Sequence, residues 1–162
     1  MKKIAIIGSG PTGIYTFYSL LNNAAPLSIT VFEKADQPGV GMPYSDEDNS
    51  RLMLANIASI EIPPIFITYL DWLKQQSAAH LARYNVDSEK LHDRQFLPRI
   101  LLGEYFHDRF LAVVAEAKKS GFHVEVHPNA EVTDIKADAD GVALSVNDAP
   151  FSRRFDLAVV AT

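Results

Sequence analysis

The chain has 162 residues, 48% of them hydrophobic, a formal net charge of −5 and no cysteine. A chain of that size and composition makes one domain burying roughly 70% of its unfolded surface, which excludes a disordered tract. The acidic balance argues against nucleic acid, and the missing cysteines exclude disulfides, thiolate catalysis and Cys-type zinc sites. A reducing, cytoplasmic compartment is expected on that ground. No apolar run reaches the ~18 residues of a membrane span, so no membrane partner is expected.

The chain opens MKKIAIIGSGPTG. Ile4 to Ile7 is a short apolar, β-branched run and reads as a strand buried on both faces. A secretory signal would need roughly 7–15 apolar residues, and Gly8, Gly10 and Pro11 break this run too early. After Gly13, the spacing of Ile14, Phe17, Tyr18 and Leu21 predicts a helix, stopped by Asn22-Asn23 and Pro26. LSITVFEK (27–34) is a second strand, and strand–helix–strand makes a βαβ unit.

Residues 35–64 show no period, yet they hold Leu52, Met53, Leu54 and Ile57, so an ordered loop is expected. The stretch 65–76 reads as a helix with Ile65, Phe66, Tyr69, Leu70 and Leu73 on one face and Pro63-Pro64 at its start. A second irregular region covers 77–97. A long helix follows from Arg99 to Ser120, with the stripe Leu102, Phe106, Phe110, Val113 and Ala117 and a stop at Gly121. Four β segments close the chain, at 122–128, 130–138, 141–148 and 155–162, with a hairpin at Asp140-Gly141. Residues 150–154 are a candidate for one more short strand.

Gly8-Ser9-Gly10-Pro11-Thr12-Gly13 fits G-x-G-x-x-G between a predicted strand and a predicted helix. Gly8 permits the tight turn, Gly10 lets the backbone approach a pyrophosphate, and Gly13 lets the helix pack on the strand. The helix start adds free N–H groups and a positive dipole end. Glu33 lies twenty residues past Gly13, where a carboxylate accepts hydrogen bonds from a ribose and repels a 2′-phosphate. The alternatives are an empty glycine turn and a solvated strand-end glutamate.

A plain NAD domain would have its third strand soon after Glu33. Here the next convincing strand begins about ninety residues later, after two helices and two irregular loops. That order resembles the FAD domain of the two-dinucleotide-binding-domain flavoproteins. The blocks FEKADQPGVGMPYS (32–45), RLMLANIASIEIPP (51–64) and RQFLPRILLGEYF (94–106) resemble a bacterial group of FAD/NAD(P)-binding proteins. That group is similar to the flavin-dependent N-hydroxylating monooxygenases. The resemblance implies an α/β, Rossmann-like FAD-binding domain over 1–162, with a parallel sheet, a helical insertion at about 35–120 and a β-meander. It implies FAD at the Gly8–Gly13 turn, with Glu33 on the adenosine ribose and Lys34 beside it. Gly41, Met42, Pro43 and Tyr44 would pass near the pyrophosphate or the flavin. Asn56 would lie near the flavin ring, Arg99 near the cofactor, and the backbone of Val132 would face adenine. The closing Ala161-Thr162 would stand beside the cofactor. Such proteins continue into an NAD(P)-binding insert and a return segment. The chain is therefore expected to be the N-terminal part of a longer flavoprotein oxidoreductase fed by NAD(P)H, or a truncated product. A non-catalytic NAD-binding module is the alternative.

The other candidates are weaker. His80, His92, His107, His123 and His127 lack metal spacing, so no metal is expected. The acidic run at 46–49 lacks the pattern of a calcium loop. Phe66, Tyr69 and Trp72 read as core before flavin-stacking residues. Arg99 reads equally as a surface residue at a helix start, and Asn56 as a loop residue satisfying local backbone. No catalytic acid, base or nucleophile stands out.

Overall fold

The computed structural model describes residues 1–46, 50 and 52–162. In chain order the elements are β1 (Lys3–Ile7), α1 (Pro11–Leu20), β2 (Ser28–Phe32), α2 (Tyr69–Lys74), α3 (Ala78–Ala82) and α4 (Arg99–Lys119). They continue with β3 (His123–His127), β4 (Val132–Asp138), β5 (Gly141–Val146), β6 (Ala149–Pro150) and β7 (Leu157–Val160). Short 3₁₀ turns occupy Met42–Tyr44 and Ser59–Glu61.

Four strands form a parallel sheet in the order β3-β2-β1-β7. Ile4 pairs with Ile29 on one side and with Leu157 on the other. β4, β5 and β6 form a separate antiparallel meander. Strand geometry sends alternate side chains to opposite faces, and β1 divides its residues accordingly. Ile4 and Ile6 join the helix-side core with Ile14, Phe17, Trp72, Tyr105 and Phe110. Ala5 and Ile7 join a smaller core under the meander with Phe32, Leu144 and Phe155. Three layers result, with helices on one face of the parallel sheet and the meander on the other. Both faces of β1 are covered, which is why its sequence is a continuous apolar run.

The long helix α4 is close to its expected range, and its whole expected stripe is buried. Gly121 ends it with φ +87°, and the Phe122 amide reaches back to the Ala117 carbonyl (3.0 Å). The hairpin at Asp140-Gly141 forms, with Asp138 paired to Gly141.

Several expectations need correction. α1 begins at Pro11, not after Gly13, because proline's fixed φ suits the first helical position. The helix expected at 65–76 is only Tyr69–Lys74. Phe66 sits at φ +63°, Ile65 and Ile67 form an isolated bridge, and the Thr68 hydroxyl caps the helix by accepting from the Asp71 amide (3.0 Å). Phe66 is therefore 44% exposed and meets the edge of Tyr18, whereas Tyr69 and Trp72 are core. The region expected to be irregular at 77–97 holds α3, capped by Ser77. β3 joins the parallel sheet, and the extra strand expected at 150–154 is the two-residue β6. Of the acidic run at 46–49, residues 47–49 lie outside the described residues.

Candidate functional site

Parallel strands leave a crevice at their carboxyl ends where the strand order reverses. Here β1 is flanked by β2 on one side and β7 on the other, and a cleft of about 510 Å³ opens at that point. Its floor is Ile7 at the end of β1 and Gly8 after it, with Ala161 and Thr162 after β7. One wall is Phe32, Glu33 and Lys34, continued by Ala130, Glu131 and Val132, whose first amide donates to the Glu33 carbonyl (2.8 Å). Gly10, Pro11 and Thr12 at the start of α1 face Gly41, Met42, Pro43 and Tyr44 across the remaining side.

Main-chain bonds tie the strand ends together. The Gly8 amide donates to the Phe32 carbonyl and the Ala161 amide to the Ile7 carbonyl, both at 2.8 Å. Gly8 has φ +98°, and a Cβ there would stand 2.7 Å from the Ala161 carbonyl oxygen. A Cβ on Gly13 would stand 2.1 Å from the Gly8 carbonyl oxygen, so Gly13 sets how closely helix and turn pack. Gly10 differs: its Cβ would find only the Gly41 Cα, at 3.4 Å. No side chain caps α1, and Pro11 has no amide hydrogen. The first-turn amides of Thr12 and Gly13 lack intrahelical partners, and with the helix dipole they make a positive end beside the cleft.

Glu33 is just past β2 and only 8% exposed. Its Oε2 accepts from the Ser9 amide (3.0 Å) and the Ser9 hydroxyl (2.6 Å), and its Oε1 accepts from the Ala35 amide (2.9 Å). The Ser9 hydroxyl in turn accepts from the Gly39 amide (2.9 Å). One residue earlier in that loop, the Pro38 carbonyl accepts from Nδ1 of His107 on α4 (2.5 Å). The segment leading to Met42–Tyr44 is thus fastened to the glycine turn and to α4. Gly103 assists on α4, since a Cβ there would stand 2.5 Å from the Tyr44 carbonyl oxygen.

Most of the site residues expected from sequence meet at this cleft. Ser9 and Gly13 do not line it: Ser9 is fully buried behind Glu33, and Gly13 faces the strand. Asn56 and Arg99 are not brought to it either. Asn56 is exposed on the loop before the Ser59–Glu61 turn, and Arg99 donates from Nε to the Leu54 carbonyl (3.1 Å). Sequence reasoning missed Phe32, Ala130 and Glu131 as cleft walls. Their signal was adjacency to Glu33 and Val132, residues already assigned to the site.

The histidines form no metal centre, and no group of metal-binding side chains occurs among the described residues. His123 and His127 lie on one face of β3 and flank Glu125, at 2.9 and 3.3 Å. Arg153 pairs with the same carboxylate. Hydrogen bonding from Arg153, then from His123, holds the Glu125 carboxyl at about 2, against an ordinary 4.5. Among the described residues, no helix is long and apolar enough to cross a membrane.

Known proteins resemble this chain at three levels. An uncharacterized protein of Escherichia coli strain K12, YdhS, is 62% identical over 162 residues, which is all of this chain and 30% of that protein. The S-allyl-L-cysteine S-oxygenase of Allium sativum shares the fold, with a TM-score of 0.56 and 19% identity over 98% of this chain and 36% of that one. Among N-hydroxylating enzymes, the ornithine hydroxylase PvdA of Pseudomonas aeruginosa aligns with a TM-score of 0.47 and 18% identity, over 99% of this chain and 35% of that one. The chain thus spans about a third of the length of the proteins it matches. A sequence model for FAD-NAD(P)-binding matches residues 5–162, nearly the full length, and the chain belongs to that FAD-NAD(P)-binding family.

Proposed function

We propose that the cleft holds the ADP half of FAD and that the chain is the FAD-binding portion of an oxidoreductase using NAD(P)H as electron donor. The observation that carries this reading is convergence. The glycine turn, the uncapped start of α1 and the carboxylate of Glu33 all meet one cleft of about 510 Å³. The donor set fits the group. Thr12 offers its amide to a diphosphate at the positive start of α1, and Gly10 carries no side chain to hold the phosphates away. In this reading Glu33 accepts from the adenosine ribose, Lys34 stands beside it, and the Val132 backbone faces adenine. Gly41, Met42, Pro43 and Tyr44 cover the phosphates and the approach to the flavin, while Ala161 and Thr162 floor the site. Asn56 near the flavin ring and Arg99 near the cofactor belong to the flavin end of this reading, outside the cleft. Domain boundaries of 1–162, with an insertion at 35–120, and a cytoplasmic location complete the reading.

Bound flavin would supply hydride and electron transfer, and this chain's residues bind it, orient it and keep water from the phosphates. Among the described residues, the side-chain carboxylates that line the cleft are Glu33 and Glu131, and in this reading both belong to the nucleotide end. The test is to purify that full-length protein and record its spectrum. A flavin absorption band that survives gel filtration is expected. A colourless protein that ignores added FAD but binds NADH tightly would replace this reading with a non-catalytic NAD module.

A further inference from the structure

Ser9 stands between the first two glycines of the turn, where the G-x-G-x-x-G pattern specifies no residue, yet it is fully buried and makes three hydrogen bonds. Two of them load one oxygen of Glu33, and the Ala35 amide takes one site on the other oxygen. An ionised carboxylate has about four acceptor sites. Three are filled from within the chain, so one remains, on Oε1, and Glu33 lines the cleft.

We infer that Ser9 is a positioning residue that fixes the Glu33 carboxylate so that it accepts from one ribose hydroxyl of the bound nucleotide and not from both. The inference rests on the proposed function. The physical basis is rotational. A carboxylate held by one amide on each oxygen keeps a free acceptor site on both and some play about its terminal torsion, which is broad. One held by an amide and a hydroxyl on one oxygen, and by a second amide on the other, cannot turn without breaking a buried bond. The same hydroxyl accepts from Gly39, so the serine also fastens the 35–41 loop to the turn. Removing it would leave the Gly39 amide without its acceptor and would vacate a second acceptor site, on Oε2, beside the one on Oε1, while the Ser9 and Ala35 amides still hold the carboxylate.

The test uses the full-length protein and reads displacement of FAD, by flavin fluorescence, with ADP, 2′-deoxy-ADP and 3′-deoxy-ADP as competitors. In the unmodified protein one deoxy analogue should compete roughly tenfold or more worse than ADP, because it loses a hydrogen bond to an ionised acceptor. The other should stay within about twofold of ADP. In Ser9→Ala the two analogues should fall within about threefold of each other. Ser9→Cys keeps the side-chain volume and only a weak donor, and should give an intermediate ratio if Ser9→Ala does not fold. Hydrogen exchange at the Gly39 amide should quicken in both variants. Equal losses for the two analogues in the unmodified protein would overturn the inference, as would discrimination that survives both substitutions. Failure of the unmodified protein to bind FAD at all would instead sink the proposed function, and this inference with it.

Discussion

At the scale of single residues, the three glycines of the turn have different physical jobs, and alanine substitution separates them. A Cβ on Gly13 would collide with the Gly8 carbonyl oxygen at 2.1 Å, and both partners are backbone, so neither can move aside cheaply. Gly13→Ala should cost about 2–4 kcal/mol of unfolding free energy in urea titrations. Gly10 has an ordinary φ of −68° and meets only the Gly41 Cα at 3.4 Å. Gly10→Ala should leave stability within about 0.5 kcal/mol of the parent, while FAD affinity measured by calorimetry drops at least about tenfold, because the methyl stands where phosphate would approach. Glu125 makes a second residue-scale case. Its folded pKa of about 2 lies below the ordinary 4.5, so its contribution to stability is complete above 4.5 and is lost as pH falls toward 2. The group is partly exposed, at 31%, so solvent screening keeps the contribution to about 1 kcal/mol. Arg153→Met should raise the Glu125 pKa in an NMR titration and flatten the urea midpoint against pH in that window.

At the scale of elements, α4 organises the helical layer. Phe110 meets Phe17 of α1 edge-on at 6.5 Å, and it also underlies Gly39 of the cleft loop, where a Cβ would come within 2.7 Å of the Phe110 Cβ. Its ring is 1% exposed. Phe110→Ala should cost about 3–5 kcal/mol by chemical denaturation, and the loss should reach FAD binding too, because the loop rests on that ring. The short α2 shows the limit of periodicity. Ile65, Phe66 and Tyr69 have helical spacing, but the chain turns left-handed at Phe66 and the helix begins only after Thr68. Spacing records which side chains are apolar. It does not record the backbone angle at one residue, which the buried Ile65 and the Phe66–Tyr18 contact decide together. α3 was illegible for a related reason: five residues are too few to show a period.

At the scale of the whole molecule, one sheet carries two cores, and the cleft opens where the strand ends of both layers meet. The helix-side core fixes α1 and its amides, while the core under the meander, through Phe32, Ala130 and Phe155, fixes the Glu33 and Val132 walls. A ligand bridging the start of α1 and those walls should couple the layers. Free FAD at about a hundred times its Kd should stabilise the folded state by about 2.7 kcal/mol, and the thermal midpoint should rise in proportion to the logarithm of FAD concentration. NADH at equal concentration should give a smaller shift at this cleft, as read by scanning calorimetry.

The sequence by itself determined the βαβ opening, the long helix, the hairpin and the place of the nucleotide turn. Each is written in local terms: an apolar run, a stripe at helical spacing, a Gly that ends a helix, a turn dipeptide. The tertiary structure decided what depended on distant partners. It placed β3 at the sheet edge beside β2, buried Ser9 behind Glu33 and away from the cleft, and directed Arg99 to the Leu54 carbonyl. The physical reason is the range of the interactions. Propensity and periodicity act over a turn or a strand, whereas these hydrogen bonds join residues 24 and 45 positions apart, and only the packed chain brings such partners together.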